Sequence, residues 1–246
     1  MKGRKYFVFL SAVSLLFLWQ LLSVKVGYDF ILPAPVQVLT RMGSLLLEQT
    51  FYEAIGATAI RSLFGLMLAF FLAAVFALLS FKSDRFAQLF APLLLLMRSI
   101  PNISYILLIL YWFSRDISSI IISFLILFPM IYQTLLEAMK EMDQKYLDVL
   151  KIYPKGRMET FFRVYLPLLR PAVSASICNG IAMAFKVGVM AEILGQVPFG
   201  VGRQMQLARL NFDLVSVMAW TGWIIILLYV CDRLLQRLIS QFCRGV

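Results

Sequence analysis

The stretch KYLDVLKIYPKGRMETFFRVYLP, residues 145–167, sets dense charge between two oily neighbours. It carries Lys145, Lys151, Lys155, Arg157 and Arg163 against Asp148 and Glu159, with Pro154 and Gly156 near its middle. The runs on either side, 117–137 and 167–192, are strongly apolar. Each is about the ~20 residues that cross a bilayer as a helix. The stretch therefore reads as a loop between two membrane spans, and the fold class follows from extending that reading outward.

Composition agrees. Of 246 residues, 61% are hydrophobic and 15% charged, whereas a soluble domain runs nearer half apolar and about a quarter charged. The net charge of +10 does not point to nucleic acid. The cations sit in short segments between apolar runs, as membrane topology requires. The chain has no His, which removes the commonest general base and metal ligand. Cys178, Cys231 and Cys243 are far apart and show no metal or disulfide spacing.

Six spans are expected, at about 6–24, 57–80, 89–113, 117–137, 167–192 and 213–236. The apolar run from Tyr6 to Val24 is long for a signal peptide and lacks a small-residue cleavage site before Lys25, so it reads as a retained first span. Lys and Arg set the orientation. With the N-terminus in the cytoplasm, fifteen cations fall in inside segments and five outside, leaving Arg61, Arg98 and Lys186 in or near spans. Both termini and residues 138–166 are then cytoplasmic. The fold expected is an all-α, polytopic membrane helical bundle, one domain over 1–246. Between the first two spans, Val36, Leu39, Met42, Leu46 and Leu47 recur at helical spacing after Pro33 and Pro35. This predicts an amphipathic helix in the outer interface. Residues 195–213 predict a turn and a short surface helix.

The charged loop asks for a partner. Leu147 and Leu150 precede the YPKG break, and Met158, Phe161, Phe162 and Tyr165 follow it. Two short helices with apolar groups held outside the membrane need a groove to enter, and a partner protein is the simplest supplier.

At this point the sequence resembles a family. The loop is similar to the cytoplasmic coupling loop of permease subunits in bacterial ABC importers, where a Glu-Ala-Ala opening and a Gly precede a Leu-Pro. Anchored on RVYLP (163–167), Asp148 stands at the acidic opening, Pro154 at the Gly position and Gly156 two residues later. ILPAPVQVL (31–39), AIRSLFGLMLAF (59–70), LMRSIPNISYILLILYWF (96–113) and LPLLRPAVSASICNGIAMAFKVGVMAEILG (166–195) extend the likeness to the nitrate/sulfonate/taurine-type permeases over nearly the whole chain. The resemblance implies a non-enzymatic inner-membrane permease subunit that binds no cofactor itself. Its partners would be a second permease copy, two cytoplasmic ATPase subunits carrying ATP and Mg, and an extracytoplasmic solute-binding protein or lipoprotein, within membrane lipid. Consistently, the chain has no G-x-x-x-x-G-K-[ST] phosphate loop. Asp148, Leu150, Lys151, Tyr153, Pro154, Gly156, Met158 and Phe161 would receive the ATPase.

Polar groups inside spans are costly, and they usually face a bundle interior or a water-filled path. Arg98, Asn102, Asn179, Lys186 and Glu192 are the candidates for a solute pathway. Lys186 either snorkels to the outer interface or lines a path suited to an anionic solute. Glu192 lies six residues on, about 240° around the helix, so the two need not share a face. An ion-gradient-driven secondary transporter or a membrane scaffold subunit is the alternative. The former calls for two related halves with broken helices, and no such halves are evident.

Overall fold

The computed structural model describes residues 2–141, 156 and 166–243, and these form helices joined by short connections. In chain order they are α1 Lys2–Val26, α2 Pro35–Leu45, α3 Gln49–Lys82, α4 Asp84–Ser99, α5 Asn102–Trp112, α6 Arg115–Lys140, α7 Leu166–Gly195, α8 Val201–Leu210 and α9 Leu214–Cys243.

The bundle centres on α3, α6 and α7. Along α3, Thr58, Ser62, Gly65, Ala69, Ala73, Ala77 and Ser80 recur every three or four residues, and all are buried. Small residues on one face let helix backbones approach, the usual basis of helix association in lipid. A Cβ on Gly65 would lie 2.6 Å from Ser123 Cβ and 3.0 Å from the Ile120 carbonyl oxygen, so α6 crosses α3 there at close range. Leu66, Leu127, Phe128, Ile131, Leu135 and Ala184 continue the same core along α6 and α7.

Contacts fix the direction of each helix. Near the start of α3, Arg61 meets Asp116 at the start of α6 and Glu192 near the end of α7. Near the end of α3, Ser80 accepts a hydrogen bond from Tyr132 Oη at 2.7 Å. So α3 and α6 run parallel and α7 returns between their ends. The connection 142–165, of which Gly156 alone is described, joins α6 to α7 at the end marked by Tyr132.

Among the described residues, four helices are long and apolar enough to cross a membrane: Gln49–Lys82, Arg115–Lys140, Pro167–Gly195 and Leu214–Arg237. A bent pair, α4 with α5, makes five if taken as one span. Of the six expected spans, these four helices cover the second, fourth, fifth and sixth, α4 with α5 covers the third, and α1 covers the first, with Val13–Val26 as its apolar stretch among the described residues. The expected third span, 89–113, is not one rod: α4 and α5 meet at 96°. Pro101 is the cause. The residue before a proline is pushed out of the helical region, and Ile100 is extended, with ψ 127°. Ser83 caps the start of α4 by accepting from the Phe86 amide, and Phe86 and Phe90 then pack on Phe76, Phe128 and Tyr132.

The expected amphipathic helix forms as α2. Pro35, Val38, Met42 and Leu45 are buried, while Val36, Leu39 and Leu47 point away from the protein. The predicted stripe shared only Met42 with the packed one, because apolar residues lie on both sides of this helix. Trp223 Nε1 donates to the Met42 carbonyl, and Arg41 Nε donates to Ser216 Oγ, both at 3.0 Å, which fastens α2 to α9. The short helix expected within 195–213 is α8.

Candidate functional site: a closed charge network, an open helix face and a cavity at the broken span

Thr58 and Arg61 are three apart on α3 and share a face. Both reach Glu192 on α7. Thr58 Oγ1 donates to Glu192 Oε2 at 2.8 Å, and Arg61 Nη1 donates to Oε1 at 3.0 Å. Arg61 also donates to the Phe199 carbonyl at 2.8 Å and, through Nη2, to Asp116 Oδ1 at 2.7 Å. Glu192 is 0% exposed. A buried carboxylate is tolerable only when paired and hydrogen-bonded, and here both oxygens have partners inside the chain. The α7–α8 connection closes over it. Gly200 has φ +144°, and a Cβ there would lie 2.4 Å from Glu192 Oε2. Sequence reasoning named Glu192 but compared it with Lys186 on the same helix. Its partner comes from 131 residues away in sequence. The Thr58-x-x-Arg61 pair and the Gly200-x-Gly202 turn were the available signals.

A second set lies open. On α7, Ala175, Asn179, Met183 and Lys186 are exposed while Ser176, Gly180, Ala184 and Val187 beside them are buried. Spacings of four, four and three residues put the exposed side chains on one helix face. Asn179 and Lys186, seven apart, are almost eclipsed. No salt bridge forms on Lys186 among the described residues. It sits six residues before Glu192, roughly 9 Å by helical rise. The chain thus leaves uncovered, within its own membrane span, a helix face that carries the polar side chains of Asn179 and Lys186.

The third set gathers at the α4–α5 break. A cavity of about 420 Å3 is lined by Arg98, Asn102, Met130, Gln133, Thr134 and Glu137 among others. Arg98 Nη1 donates to Gln133 Oε1, and Gln133 Nε2 donates to Glu137 Oε1 at 2.7 Å. Arg98 and Asn102 are therefore brought together, and neither Asn179 nor Lys186 lines that cavity. Gln133, Thr134 and Glu137 were missed. Their spacing from Met130, at three, four and seven residues, is a polar stripe on an otherwise oily helix. Of the expected ATPase-coupling residues, Asp148, Leu150, Lys151, Tyr153, Pro154, Met158 and Phe161 lie outside the described residues, and Gly156 is exposed. Among the described residues no group of His, Cys, Asp or Glu is disposed to hold a metal ion.

Several apolar spans, one of them broken, with a buried charge network, an open helix face and a polar cavity, define a multi-pass membrane protein. Residues 65–244 match the binding-protein-dependent transport system inner membrane component family, and the chain belongs to it. It is similar to the formylaminopyrimidine transport permease protein ThiX of Halalkalibacterium halodurans, at 25% identity over 75% of this chain and 72% of that protein. It is also similar to the taurine transport system permease protein TauC of Escherichia coli, at 24% identity over 94% and 87% of the two chains. A third relative is the putative aliphatic sulfonates transport permease protein SsuC of Bacillus subtilis, at 24% identity over 84% and 77%. The chain is accordingly a permease subunit of a binding-protein-dependent ABC importer of the inner membrane, and the sequence resemblance named the same group.

Proposed function

We propose that this permease forms half of a solute pathway, with a second copy of itself covering the Asn179–Lys186 face of α7. The observation that carries the reading is that open stripe. A lysine in a span, without an ion-pair partner among the described residues, is costly against lipid and far less so beside water or solute. Arg98 and Asn102 at the broken span would add a second polar station. The cations favour a small solute bearing an anionic group, in keeping with the sulfonate and taurine named for two relatives.

In this reading the network end of the bundle faces outward and both termini are cytoplasmic, as the distribution of Lys and Arg supports. An extracytoplasmic solute-binding protein or lipoprotein delivers the solute. Two ATPase subunits, which carry the ATP and Mg2+, engage the 138–166 loop through Leu150, Tyr153, Met158 and Phe161. Closure of the ATPases would move these loops as rigid bodies and switch access between the two sides.

Transport in reconstituted vesicles tests the pathway. Lys186→Met should cut uptake of an anionic solute by tenfold or more while the complex still assembles. Undiminished uptake would mean that the lysine only decorates the membrane surface and would sink the pathway assignment.

A further inference from the structure

The α8 helix begins without a cap of its own. Its N-cap residue is Gly200, which has no side chain, and the first amides of a helix have no partner within it. Here the missing caps come from two other helices. The Val201 amide donates to Thr58 Oγ1 of α3 at 2.8 Å, and the Gly202 amide donates to Glu192 Oε2 of α7 at 3.0 Å. Thr58 closes the triangle by donating its own proton to the same Glu192 oxygen. One hydroxyl therefore acts as acceptor for α8 and donor for α7 at once. Thr58 and Glu192 are each 0% exposed, so water does not compete for these bonds.

The connection between α7 and α8 is pinned as well. Arg61 holds the Phe199 carbonyl, and Arg115 Nη1 donates to the Gln196 carbonyl at 3.2 Å. Backbone packing leaves no slack. A Cβ on Gly202 would lie 2.5 Å from the Val189 carbonyl oxygen and from Glu192 Cβ.

We infer that Thr58 is a positioning residue that makes α8 a rigid continuation of α7. A push on α8 is then carried into the helix that bears Asn179 and Lys186. A cap supplied by α8 itself would have left its first turn without hydrogen bonds to α3 and α7. The shared cap ties its first turn to α3 and α7, so the three shift together or the triangle breaks. The inference rests on the proposed arrangement, in which an external binding protein acts at this end of the bundle.

The test uses the full complex, with its ATPases and solute-loaded binding protein, carrying Thr58→Val or Thr58→Ser. Valine keeps the shape and loses both hydrogen bonds; serine keeps both. Expected for Thr58→Val is an assembled complex with basal ATP hydrolysis within about twofold of wild type. Its stimulation by the binding protein should fall at least fivefold, and Thr58→Ser should restore it. A merely structural role would lower assembly and basal hydrolysis together, and stimulation per assembled complex would stay whole; either result overturns the inference. Hydrogen exchange on the wild-type complex supplies an independent reading that needs no variant. Amides of 190–195 and 201–205 should change protection together when the binding protein is added, and a change confined to 201–205 would overturn the coupling. If wild type itself shows no stimulation, the functional reading fails. The positioning role then stands or falls on whether Thr58→Val loosens both segments together in the isolated permease.

Discussion

The two ends of the α3–α6–α7 bundle are closed by different forces. At one end, Thr58, Arg61, Asp116, Glu192 and the amides of Val201 and Gly202 are joined by directional bonds, most of them out of water. At the other, Phe76, Phe86, Phe90, Phe128 and Tyr132 meet ring to ring. Phe90 alone lies 5.0 Å from Phe76 and 5.3 Å from Tyr132 between centroids. Ring contacts are spread over many weak pairs and tolerate small slides. An ion pair in a closed site tolerates neither a slide nor a missing partner. The first end holds one register. The second rests on contacts spread over several rings, at the end where the 142–165 connection leaves.

The largest expected effect breaks the charged end. Arg61→Met leaves Glu192 enclosed without its cation, and removal of one partner of a buried pair costs about 3–5 kcal/mol. Thermal unfolding in detergent should show it as a large drop in midpoint. Adding Glu192→Gln should recover more than half the loss, since the stranded charge disappears. A double variant no better than the single one would show that shape, not charge, holds this end.

Next comes Phe90→Ala at the aromatic end. Phe90 is 7% exposed and touches four other rings. Large-to-small core changes of this kind cost about 3 kcal/mol or more in water-soluble proteins. In lipid the transfer part is weak, because lipid is as apolar as the core, and the lost contacts remain. A cost of about 2 kcal/mol is expected. Phe90→Leu should recover most of it, because ring contacts need volume more than direction. A leucine variant as unstable as the alanine one would mean that ring geometry matters here as strongly as bond geometry does opposite.

Gly202→Ala should cost about 1–3 kcal/mol, the usual range for forcing a group into a packed site. The atoms it would strike include the Val189 carbonyl and the Ile193 amide, which cannot rotate away. Gly56, on α3, offers the control: a Cβ there meets nothing within 4 Å. Gly56→Ala should be neutral or stabilising by up to about 1 kcal/mol, from helix propensity alone. Equal effects at both glycines would remove the claim that the connection to α8 is tightly seated.

How much of this could be read beforehand depended on whether the signal was local. Spans α3, α6, α7 and α9 were legible because a bilayer needs a long apolar run and nothing in these segments competes with it. Pro101 stands in the expected third span, yet the 96° turn was not legible, because hydropathy reports the length of a run and not its direction. Glu192 was legible as costly and illegible as paired. Arg61 lies on another span, and helical angles relate only residues of one helix. The same limit hid Gln133 and Glu137, whose roles appear only once the break at Ile100 brings Arg98 beside α6. On α2 the helix was legible and its packed face was not. Apolar residues surround that helix, so periodicity could not choose between the face toward α9 and the face away from it.

The smallest effect sharpens the comparison most. Tyr132 Oη donates to Ser80 Oγ at 2.7 Å, a polar link between α3 and α6 at the aromatic end. Both residues are buried, at 3% and 2% exposure. Tyr132→Phe keeps the ring and its contacts and removes only that bond. A neutral hydrogen bond contributes about 0.5–1.5 kcal/mol net, and hydrogen bonds between helices in membranes average about 0.6. A loss near 0.5–1 kcal/mol is expected. Ser80→Ala should cost about the same, and the two together no more than either alone, since each single change already removes the whole interaction. Unfolding midpoints of the four proteins in this cycle supply the test. Additive losses would mean that each hydroxyl has a further partner. A Tyr132→Phe loss as large as that of Arg61→Met would mean that a polar bond governs both ends, and the contrast between them would fall.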